Sequence, residues 1–124
     1  MNKVNSVREL EVYKGAFALQ QAIFVASKSF PQEETYSLTD QIRRASRSVG
    51  ANLSEAWAKR RYPAHFLSKL TDSDGELQET LHWLETAEAC EYLTPEQGSV
   101  LQEQAAAVGR QLGSMIVRYE TFCF

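Results

Sequence analysis

The 124-residue sequence is 44% hydrophobic and 23% charged, with a formal net charge of −3 and two cysteines. That is the balance of one ordinary globular domain, long enough to close a core without disulfide or metal staples. It excludes a membrane span, which needs about 20 apolar residues in a row, and a disulfide framework, because Cys90 and Cys123 show no CxxC or Cys/His spacing. The opening MNKVNSVREL holds no signal-like apolar stretch, so the expected setting is the cytoplasm, with reduced thiols.

Charge is unevenly distributed. Residues 1–69 hold eleven Lys/Arg against six Asp/Glu, whereas residues 70–109 hold nine acids and no Lys or Arg. A basic segment of this kind pairs with an acidic one, within the chain or between subunits, or meets an external polyanion.

In chain order, the first predicted helix spans residues 10–29. Val12, Ala16, Leu19, Ile23, Ala26 and Phe30 step by four and three, the spacing of a single helical stripe. Tyr13, Phe17 and Phe24 form a second apolar line beside it. A surface helix needs one stripe about 100° wide. The second line therefore belongs either to the most buried helix of the fold or to a surface that meets another subunit. Pro31 ends this helix, and Ser37 or Thr39 can cap the next one.

The second helix is predicted over residues 37–61, with Leu38, Ile42, Ala45, Val49, Leu53 and Ala56 on its core stripe. At 100° per residue, Arg43, Arg44 and Arg47 gather nearly opposite that stripe. Lys59, Arg60 and Arg61 fall in its last turn, where cations suit the negative end of the helix dipole, before Pro63 forces a bend. The third helix, residues 64–91, carries Phe66, Leu70, Ser73, Leu77, Leu81 (or Thr80), Leu84 and Ala87 inward, with Trp83 off the stripe. Gly75 lies in its interior at a cost of roughly 1 kcal/mol against alanine, and the expectation is that another helix approaches closely there. Thr94, Pro95 and Gln97 form a capping box for the fourth helix, residues 95–120, with Leu101, Ala105, Val108, Leu112, Met115, Tyr119 and Phe122 on its stripe. Four such helices on short connections predict an all-α, antiparallel up-down-up-down four-helix bundle, one domain over residues 1–124.

Several residues carry candidate chemistry. Clustered arginines favour phosphate, so Arg43, Arg44 and Arg47, flanked by Lys59, Arg60 and Arg61, form the candidate nucleic-acid surface. Asp40 shares their face and is expected to neutralise part of the patch, while Glu55 and Glu79 could each take an arginine across helices. With these acids at hand, a structural or inter-subunit salt-bridge role is the one the sequence favours. With no aromatic interleaved with the arginines to stack bases, sequence-specific single-strand reading is not expected. Asn52 and Glu55 stand beside the core stripe and are expected to fix helix register by hydrogen bonds. Glu79 and His82 match the Glu-x-x-His of di-iron bundles, but the chain has no second copy, so no metal or cofactor is expected. No nucleophile–base pair and no phosphate-cradling glycine loop are present, which argues against an enzyme.

These motifs together resemble the bacterial four helix bundle protein family, also called the 23S ribosomal RNA intervening-sequence protein family. The resemblance rests on Leu10-Glu11-Val12-Tyr13, Phe30-Pro31, Glu34-x-Tyr36-x-Leu38, Gln41-Ile42-Arg43-Arg44-Ala45 and Ser48-Val49-x-Ala51-Asn52-Leu53-x-Glu55. It continues through Gly75-x-x-x-Glu79-Thr80-x-x-Trp83-Leu84, Ala87 and Tyr92-Leu93. Gly50 stands where the family usually has proline, and Ala56 where it has glycine. The resemblance implies a bundle that assembles into a ring, most often a homopentamer, and an association with RNA, since some relatives are encoded within ribosomal RNA genes. It is also similar to the accessory proteins of diversity-generating retroelements, strongly basic pentamers that work with a reverse transcriptase and nucleic acid. The pI near 5.4 departs from those relatives. The resulting expectation is a non-catalytic oligomeric scaffold or adaptor whose first partner is itself and whose further protein partner is unknown. The alternative is an RNA- or DNA-binding accessory protein.

Overall fold

The computed structural model describes residues 4–124. Four helices carry the fold: α1 (Glu11–Ser27), α2 (Asp40–Ala58), α3 (Pro63–Ala89) and α4 (Pro95–Val117). α1 packs against α2 and α4, and α3 packs against the same two, with α2–α3 the most extensive pair. Among the described residues there is no strand. Connections of four residues between α2 and α3 and of five between α3 and α4 turn successive helices antiparallel. The predicted four-helix bundle is what the chain forms.

The four-three stripes supply the core. Leu19 and Ile23 of α1, Ile42, Val49 and Leu53 of α2, Phe66, Leu70, Leu77 and Leu84 of α3, and Val108 and Leu112 of α4 are all buried. Each such side chain contributes about 1.5–3 kcal/mol when taken out of water. One polar contact crosses this interior: Ser73 Oγ donates to the Val49 carbonyl at 2.8 Å, fixing α3 against α2. α4 is capped as predicted, with the Thr94 hydroxyl accepting from the Gln97 amide at 3.1 Å and the Gln97 side chain accepting from the Thr94 amide at 2.9 Å.

Four expectations are corrected. Neither Ser37 nor Thr39 caps α2. A short 3-10 turn (Gln32–Glu34) and a π-helical turn (Thr35–Thr39) lead into it, so backbone carbonyls take the first amides. α2 stops at Ala58 and does not run to Arg61, because the Tyr62 amide turns back to the Lys59 carbonyl at 2.9 Å and Pro63 starts α3. Gly75 is exposed, and a Cβ built on it meets nothing within 4 Å, so no helix of this chain approaches it. Finally, the second apolar line of α1 is not wholly buried within its own bundle: Phe17 is 47% exposed, and Tyr13 and Phe24 are half-buried. Gly50, in place of the family's proline, is passed by α2 without interruption.

Candidate functional site

The basic face is built at the seam of α1 and α2. Antiparallel packing brings Arg43 and Arg47 alongside Phe24, whose ring becomes their platform. The guanidinium carbons of Arg43 and Arg47 stand 4.8 and 5.6 Å from the ring centroid, and the Lys28 ammonium stands 4.8 Å from it. Ser27, almost wholly buried, locks this arrangement. Its hydroxyl donates to the Phe24 carbonyl at 3.0 Å and accepts from Arg43 Nε at 2.8 Å. A cation over an aromatic face gains about 0.5–1 kcal/mol at an exposed site. Arg43, Arg44 and Arg47 line a shallow cleft with Asp40, Ser48 and Ala51.

Asp40 does not do what was expected of it. Among the described residues, neither it nor any other carboxylate forms an ion pair with Arg43, Arg44 or Arg47. The acids assigned to them are engaged elsewhere. Glu55 is exposed and pairs with Lys69 of α3 at 2.7 Å, which holds its carboxyl below the usual range and the Lys69 ammonium above its own. Glu79 accepts the Trp83 indole N–H at 3.1 Å. Asn52 is half-buried and bonds within its own helix, to the Ser48 carbonyl at 2.9 Å, so it does not fix register across helices. Glu55 does reach across helices, through a surface ion pair rather than a buried carboxylate.

Lys59, Arg60 and Arg61 follow the end of α2, about 20 Å along the axis from the arginine cleft at 1.5 Å per residue. They form a separate group. Arg60 stacks 3.8 Å from the Trp57 ring and 5.2 Å from that of Phe124, with its Nε donating to the Trp57 carbonyl at 2.9 Å. Lys59 and Arg61 are exposed. Trp57, almost fully buried, has no hydrogen-bond partner for its indole N–H.

The acidic surface lies on α3. Asp72 and Glu79 are exposed and Glu76 half-buried, and burial followed by the charges of Glu79 and Asp72 pushes the Glu76 carboxyl up. Lys69 reaches Asp72 only at 3.9 Å. His82 stands edge-on to Trp83, ring centroids 4.8 Å apart, and among the described residues no three His, Cys, Asp or Glu gather as metal ligands. No helix of the described residues is long and apolar enough to cross a membrane.

The sequence placed the three arginines together but missed Phe24 and Ser27, which hold Arg43 and, through the ring, Arg47, and Lys28, a further cation on that ring. The signal was present: Phe24 and Lys28 are one turn apart on α1, the spacing of a helical cation–aromatic pair.

A solved chain from Bacteroides thetaiotaomicron, described as a protein with unknown function from the S23 ribosomal protein family, is similar to this one. It superposes with a TM-score of 0.77 at 29% identity, covering 85% of this chain and 94% of that one. No curated protein matches. The family model of the 23S rRNA-intervening sequence protein matches residues 8–114, nearly the full length of the bundle, and the chain belongs to that family.

Proposed function

We propose that the protein is a non-catalytic scaffold of the cytoplasm that works as a ring-shaped homo-oligomer, a homopentamer by the family resemblance. The observation that carries this reading is the uncovered apolar line of α1. On that line Phe17 is 47% exposed, with the half-buried Tyr13 stacked on it at 6.3 Å, and Val25, beside the line on the same helix, is 65% exposed. An apolar line left in water by its own bundle is covered economically by another copy. Light scattering at micromolar concentration tests it. The expected result is a mass several times that of one chain, reduced to the monomer by Phe17→Glu. A wild-type monomer overturns the reading.

A second reading, an RNA- or DNA-binding accessory protein using Arg43, Arg44 and Arg47, draws on the absence of ion pairs to these residues among the described ones. Several such patches around a ring would bind a phosphate backbone multivalently.

A further inference from the structure

The arginine cleft gathers like charges, and Asp40, which lines it with them, forms no ion pair with any of them. Lys28, Arg43 and Arg47 surround one ring, Arg44 stands beside them, and no carboxylate of the described chain pairs with any of the four. The cations are also pre-positioned: the Ser27 hydroxyl and the Phe24 ring fix Arg43 before any partner arrives. Fixed guanidiniums lose little side-chain freedom on binding an anion.

α3 presents the opposite imbalance. Asp72, Glu76 and Glu79 form a row whose only ion-pair partner among the described residues is Lys69, at the edge of contact with Asp72. Ser73 on Val49 and Lys69 on Glu55 set the α2–α3 register. That register brings the Glu76–Glu79 stretch level with Arg44 and Arg47, on the neighbouring helix and yet unpaired with them. Between Asp72 and Glu79 sits Gly75, exposed, with open space where its side chain would be. Nothing among the described residues requires a glycine there. A facing backbone or a bulky side chain from outside would.

We propose that the arginine cleft of one copy, Arg43, Arg44 and Arg47, docks the acidic face of α3, Asp72 and Glu79 around Gly75, on a second copy. The inference rests on the oligomeric reading above and names the surfaces that would meet. Charge complementarity carries it: each chain bears both patches, its arginines unpaired and its acidic row met only by Lys69 at 3.9 Å from Asp72, and a second chain supplies the opposite charge to each. In a ring this contact is head-to-tail, each copy using its two patches on two different neighbours; the same pairing made twice across a two-fold axis would stop at a dimer. A phosphate backbone is the less favoured occupant. To lie along Arg44 and Arg47 it would run past Glu76 and Glu79 at the same level of the bundle, and the chain as a whole is acidic.

A charge swap tests this, read by light scattering with circular dichroism as the control for folding. Arg44→Glu/Arg47→Glu is expected to reduce the mass to that of the monomer, as is Asp72→Lys/Glu79→Lys. All four substitutions sit at exposed positions, so the bundle is expected to stay folded. Carrying all four changes in one chain restores complementarity with reversed signs, and the multimer is expected to return. A multimer that persists in Arg44→Glu/Arg47→Glu, or a four-fold variant that stays monomeric, overturns the proposal. So does wild-type protein that binds a structured RNA through Arg44 and Arg47 with its mass unchanged by their loss. If the wild type is itself monomeric, the oligomeric reading fails first. If it is multimeric but indifferent to the swap, only this docking fails.

Discussion

Among single residues, Glu91 is the clearest case of local strain. It follows the C-cap of α3 with φ 63°, the only non-glycine residue at positive φ among those described. The geometry is a Schellman ending: the Tyr92 amide reaches the Ala87 carbonyl at 2.9 Å and the Glu91 amide the Glu88 carbonyl at 3.0 Å. A left-handed residue with a Cβ costs about 1–2 kcal/mol, and glycine avoids most of it. Glu91→Gly is therefore expected to stabilise the fold by about 1 kcal/mol in urea denaturation, less whatever glycine gains in freedom in the unfolded chain. A destabilised variant would mean that the Glu91 side chain makes a contact worth more than its backbone strain. This position was illegible beforehand. Periodicity locates the end of a helix only within a few residues, and glutamate announces nothing about φ.

The elements were far more legible. Core stripes and the Thr94–Gln97 capping box are local patterns with one dominant structural solution, and the four helices follow them, with α2 three residues shorter at each end than expected and α4 ending at Val117. What escaped was decided by tertiary neighbours. The arginine face could be read from the helical wheel, but its platform Phe24 belongs to another helix. Gly75 could be seen as costly, but not that its surroundings were empty. Between elements, the connection ahead of α2 is pinned to the α3–α4 turn at the same end of the bundle. The Tyr92 hydroxyl donates to Glu34 at 2.8 Å, and the Tyr92 ring packs on Phe30 with centroids 5.8 Å apart. The carboxylate beside it pushes the Tyr92 phenol up from 10.0 to about 12. The folded state thus holds this proton more tightly than the unfolded chain. Its contribution is complete below about pH 10 and is lost as pH rises toward 12. Urea titrations of wild type and Tyr92→Phe are expected to differ below pH 10 and to converge as pH approaches 12. A constant difference across that range would show that the phenol proton plays no part.

For the whole molecule, charge rather than shape separates this bundle from a self-contained one. Its core is closed, while among the described residues the arginines of the basic cleft form no ion pair, the acidic row of α3 has only Lys69 beside Asp72, and Phe17 of α1 is 47% exposed. Mass action then makes apparent stability rise with protein concentration wherever those surfaces associate. The unequal pairing of the helices has a separate consequence for how the molecule comes apart. α2 and α3 share the largest interface, are joined by four residues, and are held by the buried Ser73–Val49 bond and the Glu55–Lys69 pair. Closing so short a loop costs little entropy, so this hairpin is the natural cooperative unit and α1 and α4 are layered onto it. Amide hydrogen exchange, followed in the monomeric Phe17→Glu chain, is expected to be slowest where Val49–Leu53 faces Leu70–Leu77 and faster in α1 and α4. Uniform exchange across the four helices would mean that the molecule opens only all at once. The protein's resistance to unfolding is thus concentrated in its central hairpin, leaving the outer helix that bears Phe17 and Phe24 the freest to adjust to what it meets.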